Sequence, residues 1–192
     1  NRLGGINIMK KILSGFLIIV AICFLSFCNQ STKTKERDVK TSSNNKIEIS
    51  IPECYELSNI ILALTEYGIK DPQEVHKGTS YYNEMLKYFE PVKNHPLLKK
   101  VNYSRELWED LLSFRTDGCA FSFNSDGVIK RDFEFCANEG HKPFDNNLAL
   151  INDFAKTSKF REFYKSHKPF YDTIISNYSS YYMISEIKQF LD

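Results

Sequence analysis

The chain has 192 residues, 25 Lys and Arg against 24 Asp and Glu for a formal net charge of +1, and 14% aromatic residues, mostly Phe and Tyr. Balanced charge with no basic stripe interleaved with aromatics excludes the electrostatic footprint of nucleic-acid binding. The aromatic content suits a dense core, and about 145 residues from Ile47 onward are enough for one domain.

Residues 1–8 precede Met9 and read as translation upstream of the true start. Residues 9–27 read as a bacterial lipoprotein signal peptide. Lys10 and Lys11 form its positive region, and Ile12 to Phe27 form an apolar run of sixteen residues softened only by Ser14, Gly15 and Ser26. Leu25-Ser26-Phe27-Cys28 stands where a lipobox is expected, which makes Cys28 the lipid-attachment residue and the chain's link to a membrane. Phe27 departs from the Gly, Ala or Ser usual before that cysteine. A transmembrane helix needs about 20 apolar residues, so the run is short for a span. Cleaved soluble secretion and an uncleaved anchor are the alternatives.

From 28 to 46 the composition turns to Ser, Thr, Asn, Gln and Lys, with Val39 the only apolar residue after Cys28. Such a segment buries too little apolar surface to offset its ordering entropy, so a disordered tether is expected.

Residues 47–192 show helical periodicity. Ser50 offers an N-cap with Pro52 and Glu53 in the first turn. Leu57, Ile60, Ile61 and Leu64 follow on one face, with Gly68 as terminator. A second helix begins near Ser80, carries Tyr82, Met85, Leu86 and Phe89, and stops at Pro91. Ser104 caps a third with Leu107, Trp108, Leu111 and Leu112 on its core stripe. Asp145 opens a fourth with Leu148, Ile151 and Phe154. Ser158 caps a fifth with Phe160, Phe163 and Tyr164. Pro169 sits in the first turn of a sixth with Phe170, Ile174, Ile175 and Tyr178. One region breaks the pattern. Cys119 to Asn124 alternates apolar and polar, and Phe133-Glu134-Phe135 lies beyond Asp126-Gly127, so Gly118 to Cys136 reads as a β-hairpin reversing at Asp126-Gly127. A helical Gly118–Phe123 is the alternative. The fold expected is mainly α, a multi-helix domain with one β-hairpin.

Export favours disulfides, and a hairpin brings Cys119 near Cys136. A two-residue turn would pair Cys119 with Glu134, so the bridge requires a bulge or longer loop. If formed, it closes a loop of about 18 residues and contributes roughly 3 kcal/mol. Free buried thiols are the alternative. The same cysteines with Glu139 and His141 lack the paired close spacings of structural zinc sites. His76, His95, His141 and His167 are scattered, with His95 and His167 placed at helix termini. No catalytic, cofactor-binding or metal-ligating residue is assigned in this chain.

Three stretches carry a resemblance: Glu56–Thr65 (ELSNIILALT), Tyr82–Phe89 (YNEMLKYF) with Lys93-Asn94-His95-Pro96, and Leu150–Phe154 (LINDF) running through Lys159–Tyr171 (KFREFYKSHKPFY). Together they resemble the N-terminal region of a family of bacterial exported lipoproteins of unknown function, proposed to be gluzincin-like zinc metallopeptidases. These are packing motifs, spread over roughly residues 50–190. In that family the H-E-x-x-H lies further downstream. This chain contains none, so the resemblance carries over no catalytic residue and implies zinc only in a downstream catalytic domain.

Met183, Ile184, Ile187, Phe190 and Leu191 form a further apolar stripe that reaches Asp192 without a cap, which reads as truncation. The function expected is the helical N-terminal region of an exported, membrane-anchored metallopeptidase whose zinc domain is not in this chain. The alternative is a complete surface or periplasmic lipoprotein that binds a peptide, glycan or partner protein; Tyr178, Tyr181 and Tyr182 are its candidate contacts, with a core or interface role the favoured reading of those tyrosines. An autonomous enzyme is the third reading.

Overall fold

A computed structural model describes residues 49–181. The expectations for the signal peptide, Cys28, the tether, Tyr182 and the Met183–Leu191 stripe lie outside the described residues. Within them the chain is mainly helical, with nine α-helices and one antiparallel hairpin. In chain order these are α1 Glu53–Leu64, α2 Glu66–Lys70, α3 Ser80–Phe89, α4 Pro96–Lys100, α5 Trp108–Asp117, β1 Phe121–Phe123, β2 Ile129–Arg131, α6 Pro143–Asn146, α7 Leu148–Thr157, α8 Phe160–Ser166 and α9 Lys168–Tyr181.

The axis of the fold is α1. Cys54, Leu57, Ile60, Ile61, Leu62, Ala63 and Leu64 are all buried, on more than one face of the helix. A helix apolar nearly all round must be enclosed by other elements, and α2, α5, α8 and β1 pack around it. Its one fully buried hydroxyl, Ser58, donates to Tyr55 O at 2.7 Å and reaches Arg115 O at 3.1 Å, tying α1 to α5. The helix starts after Pro52 with no side-chain cap, so Ser50 does not serve as one. Nor does Gly68 end it. Thr65 turns extended (ψ 160°), its hydroxyl donates to Leu62 O at 2.7 Å and accepts from Gly68 N at 3.0 Å, and α2 begins at once.

Thr79 caps α3 by accepting from Tyr82 N, and Tyr82, Met85 and Phe89 are buried as expected. Pro91 lies in a 3-10 turn, Glu90–Val92, that follows. Helix α4 has no counterpart in the sequence reading; five residues are too few to show a period. His95 caps it, Nδ1 accepting from Leu97 N at 3.2 Å, as a helix-terminus residue should.

Two expected stripes are buried only in part. Ser104 caps a 3-10 turn, Arg105–Leu107, and α5 then directs Leu111, Phe114 and Asp117 inward. Leu107, Trp108 and Leu112 are exposed, Trp108 by 56%. A helix packed on one side buries one stripe only, and the stripe carrying Phe114 takes that place against the core. In α9 the buried residue is Tyr171, at 2% exposure, while Phe170, Ile174 and Tyr178 are 40–49% exposed.

The hairpin pairs Phe121 with Arg131, Ser122 with Lys130 and Phe123 with Ile129. Its turn is longer than the two residues expected. Asn124 N donates to Val128 O at 2.9 Å, so Ser125, Asp126 and Gly127 make the reversal, with Gly127 at φ 75° in the left-handed region that favours glycine. The expected fourth helix is divided. Asp145 lies within α6, where it pairs with Arg131, and α7 begins after Asn147. Ser158 ends α7 and does not cap α8, because Lys159 intervenes in a left-handed conformation (φ 56°) that redirects the chain. The Ser158 hydroxyl is buried without a hydrogen-bond partner.

Candidate functional site

Cys119 is exposed on the turn between α5 and β1, Cys136 is half-buried, and Cys54 is buried; all three are free thiols. The Cys136 thiol donates to Asn138 O at 2.9 Å. Burial pushes the Cys54 thiol up to about 12, which keeps it protonated and unreactive. His141 sits with neither cysteine in a ligand set. Its Nδ1 meets Asp110 at 2.9 Å and its Nε2 meets Glu109 at 2.9 Å, so the hydrogen bond to Asp110 and the charges of both carboxylates raise its pKa. Two flanking carboxylates make His141 a tie between α5 and the 138–141 loop. Among the described residues, no group of three or more His, Cys, Asp or Glu is placed to hold a metal ion, and no helix is long and apolar enough to cross a membrane.

Concave sites among the described residues include a groove of about 550 Å³ beside the hairpin turn, lined by Phe123, Val128, Asn152, Lys156 and Arg161, and two others between helices. The larger of those two is a groove of about 700 Å³ between the end of α1, α2, the end of α3 and α4. Leu64, Leu86, Phe89 and Leu98 form its apolar floor, and Ile69, half exposed, forms one wall. Its rim is charged. Lys70 pairs with Glu66 and Lys93 with Glu90, each at 2.5 Å, while Lys99 has no ionic partner among the described residues. Asn94 and Asn102 add carboxamides; Asn102 Oδ1 already accepts from Tyr67 N, which leaves its NH2 to donate. An apolar floor with a few fixed polar groups is the usual makeup of a binding cleft.

The smaller site is a cavity of about 160 Å³ between α1, α3 and the loop that joins α2 to α3, with Glu56 in its wall. Glu56 accepts a short hydrogen bond from Tyr81 Oη, and Tyr81 Oη lies 2.8 Å from Tyr171 Oη, so a hydroxyl chain runs Tyr171 to Tyr81 to Glu56 across α9, α3 and α1. Rings enclose it. Tyr81 stacks on Phe170 at 4.8 Å and meets His167 edge-on at 5.3 Å. His167 is itself held between Phe163 O at 2.9 Å and Glu84 at 3.1 Å. Burial pushes Glu56 up to about 7, against the Tyr81 and Asn59 hydrogen bonds and the nearby His167, which lower it. Burial and the Glu56 charge push both phenols above their ordinary value, so they remain protonated donors.

The raised Glu56 has a consequence for stability. The native state binds the Glu56 proton more tightly than the unfolded chain, so its contribution is full below pH 4.5 and declines as pH rises toward 7. The loss amounts to roughly 3 kcal/mol. Glu56→Gln keeps an acceptor for Tyr81 and removes the titration. Denaturation across pH should show the variant matching the parent near pH 4 and exceeding it near pH 8. An unchanged difference between the two proteins across that range would contradict the placement of Glu56.

Comparison with protein-family models, with curated proteins and with solved structures finds no match. Neither of the two sites between helices was assigned from sequence. The signal for the smaller one was present: Glu56 interrupts a helix, ECYELSNIILAL, otherwise buried nearly all round, so its carboxylate had to meet another element.

Proposed function

We propose that this chain is an exported, lipid-anchored envelope protein whose helical body holds a peptide segment in the groove formed by α1 to α4. The observation that carries this is the groove's makeup. Leu64, Leu86, Phe89 and Leu98 offer apolar burial, Asn94 and Asn102 offer amides to a peptide backbone, and Lys99 leaves an uncompensated positive charge on the rim. The occupant that fits is an extended peptide with an apolar anchor beside a carboxylate. The series Lys10-Lys11, apolar run and Cys28 supports anchoring to a membrane, and the envelope is then the compartment. The resemblance to gluzincin-like lipoproteins supports a companion role. The body would hold the peptide while zinc chemistry belongs to a separate catalytic domain.

Two experiments test the two halves. Fractionation of cells should find the parent with membranes and Cys28→Ala released from them; an unchanged distribution would refute the anchor. Selection of a peptide display library on purified mature protein should enrich apolar anchors next to Asp or Glu. Ile69→Glu and Lys99→Glu should each weaken the selected peptides about tenfold or more, equal to about 1.4 kcal/mol. Equal binding by both variants would place the peptide elsewhere.

A further inference from the structure

We propose that the cavity beside Glu56 is a binding site for a primary ammonium group carried on a short apolar chain. It is separate from the peptide groove and shares no lining residue with it. Three features point to that ligand. The wall is mostly apolar, with Ile60, Ala63 and Met85 giving room for methylenes. Its one acid is Glu56, held in a fixed orientation by Tyr81 and, behind it, Tyr171. Tyr81 and Tyr82 both line the same space, and aromatic faces attract cations.

Charge selects among ligands. An anion would meet a carboxylate, and a neutral alkane would gain no polar contact from Glu56. An ammonium ion supplies a counter-charge within the cavity itself, and Asn59 and Thr79 stand in the same wall as further polar groups. The cavity holds the volume of about five waters, which fits an amine with a chain of about four carbons.

Binding should depend on pH. The groups that face Glu56 are Asn59 on its own helix, Tyr81 of α3, Tyr171 of α9 behind it, and His167 between α8 and α9; His76 stands in the cavity wall. The phenols stay protonated, so across pH 5 to 8 the change of charge that bears on an ammonium is that of Glu56. Only the ionised carboxylate pairs with an ammonium.

The test uses n-butylammonium as probe, with butyrate as its anionic counterpart, on purified mature protein followed by NMR. Butylammonium should saturably shift the resonances of Tyr81, Tyr82 and Met85, at least tenfold more tightly near pH 8.5 than near pH 5.5. Glu56→Gln should abolish that pH dependence and weaken binding at least tenfold. Ala63→Val, which narrows the cavity without touching the carboxylate, should also weaken it. Equal binding of butyrate, undiminished binding by Glu56→Gln in a folded variant, or no saturable shift at either pH would each overturn the proposal. The peptide groove would be untouched by any of these results.

Discussion

Phe163→Ala is expected to lower stability by about 3–5 kcal/mol, the cost of removing a large buried ring and leaving a cavity. Phe163 is 1% exposed and lies where three helices meet. Its ring centroid is 5.1 Å from Phe89 and 5.0 Å from Tyr88 of α3, 5.7 Å from Tyr81, and 4.0 Å from His167 at the head of α9. Domains of this size are stable by about 5–15 kcal/mol, so the variant would sit near the threshold of unfolding. Its midpoint should fall by roughly 10 °C. Trp108→Ala supplies the contrast. Trp108 is larger, but it is 56% exposed on the outer face of α5, and its loss should cost about 0.5 kcal/mol or less. Thermal denaturation of the two variants separates the observed packing from the stripe Leu107, Trp108, Leu111 and Leu112 suggested by periodicity. Equal losses would mean that α5 is turned the other way.

Gly68→Ala is expected to be nearly as damaging, by a different cause. A Cβ at Gly68 would stand 2.1 Å from Leu62 O and 3.0 Å from Ala63 Cα, both main-chain atoms. Neither can swing aside as the tip of a side chain would. The backbone must shift, and the shift reaches the Thr65 junction where Gly68 N–H is held by the threonine hydroxyl. A loss of about 3 kcal/mol follows from overpacking of this kind. Gly127→Ala is the control. Its φ of 75° strains any side chain, but nothing lies within 4 Å of the added carbon, so roughly 1–2 kcal/mol is expected. A Gly68→Ala protein as stable as Gly127→Ala would show that α1 and α2 do not approach as described.

The legible part of the fold was the set of helices whose apolar period was reinforced by burial. Leu57, Ile60, Ile61 and Leu64 in α1, and Tyr82, Met85 and Phe89 in α3, are buried as their spacing implied. Where more apolar residues occurred than one face can hold, the period could not choose. In α5 the choice fell to Phe114, whose ring meets Tyr103 and Phe144, and in α9 to Tyr171, whose hydroxyl meets that of Tyr81. Caps were harder to read than helices. Ser50 and Ser158 had the right chemistry, but Pro52 and the left-handed Lys159 decided where the chain entered its next helix. The hairpin was legible and its turn was not, since Asn124 lengthens the reversal by accepting from Asp126 N and Val128 N through its side chain.

The sites were less legible than the fold because each is assembled from distant segments. Tyr81 and Tyr171 stand ninety residues apart in sequence, and Glu56 a further 25 before Tyr81. The groove draws its floor from three helices, one of them the short α4 that no periodicity announces. Cysteine and histidine spacings carry familiar chemistry, but the histidines serve packing and capping. In the structure, His95 caps α4, His141 ties α5 to a loop, and His167 packs among rings.

The peptide groove is the central claim, and amide shift mapping tests it most directly. Mature protein labelled with nitrogen-15 would be titrated with a peptide taken from the display selection. Shifts should concentrate on Leu64, Ile69, Leu86, Phe89, Leu98 and Lys99, and in Ile69→Glu should need about tenfold more peptide to reach the same size. Shifts centred on the outer face of α5 around Trp108, or on the Glu56 cavity, would contradict it.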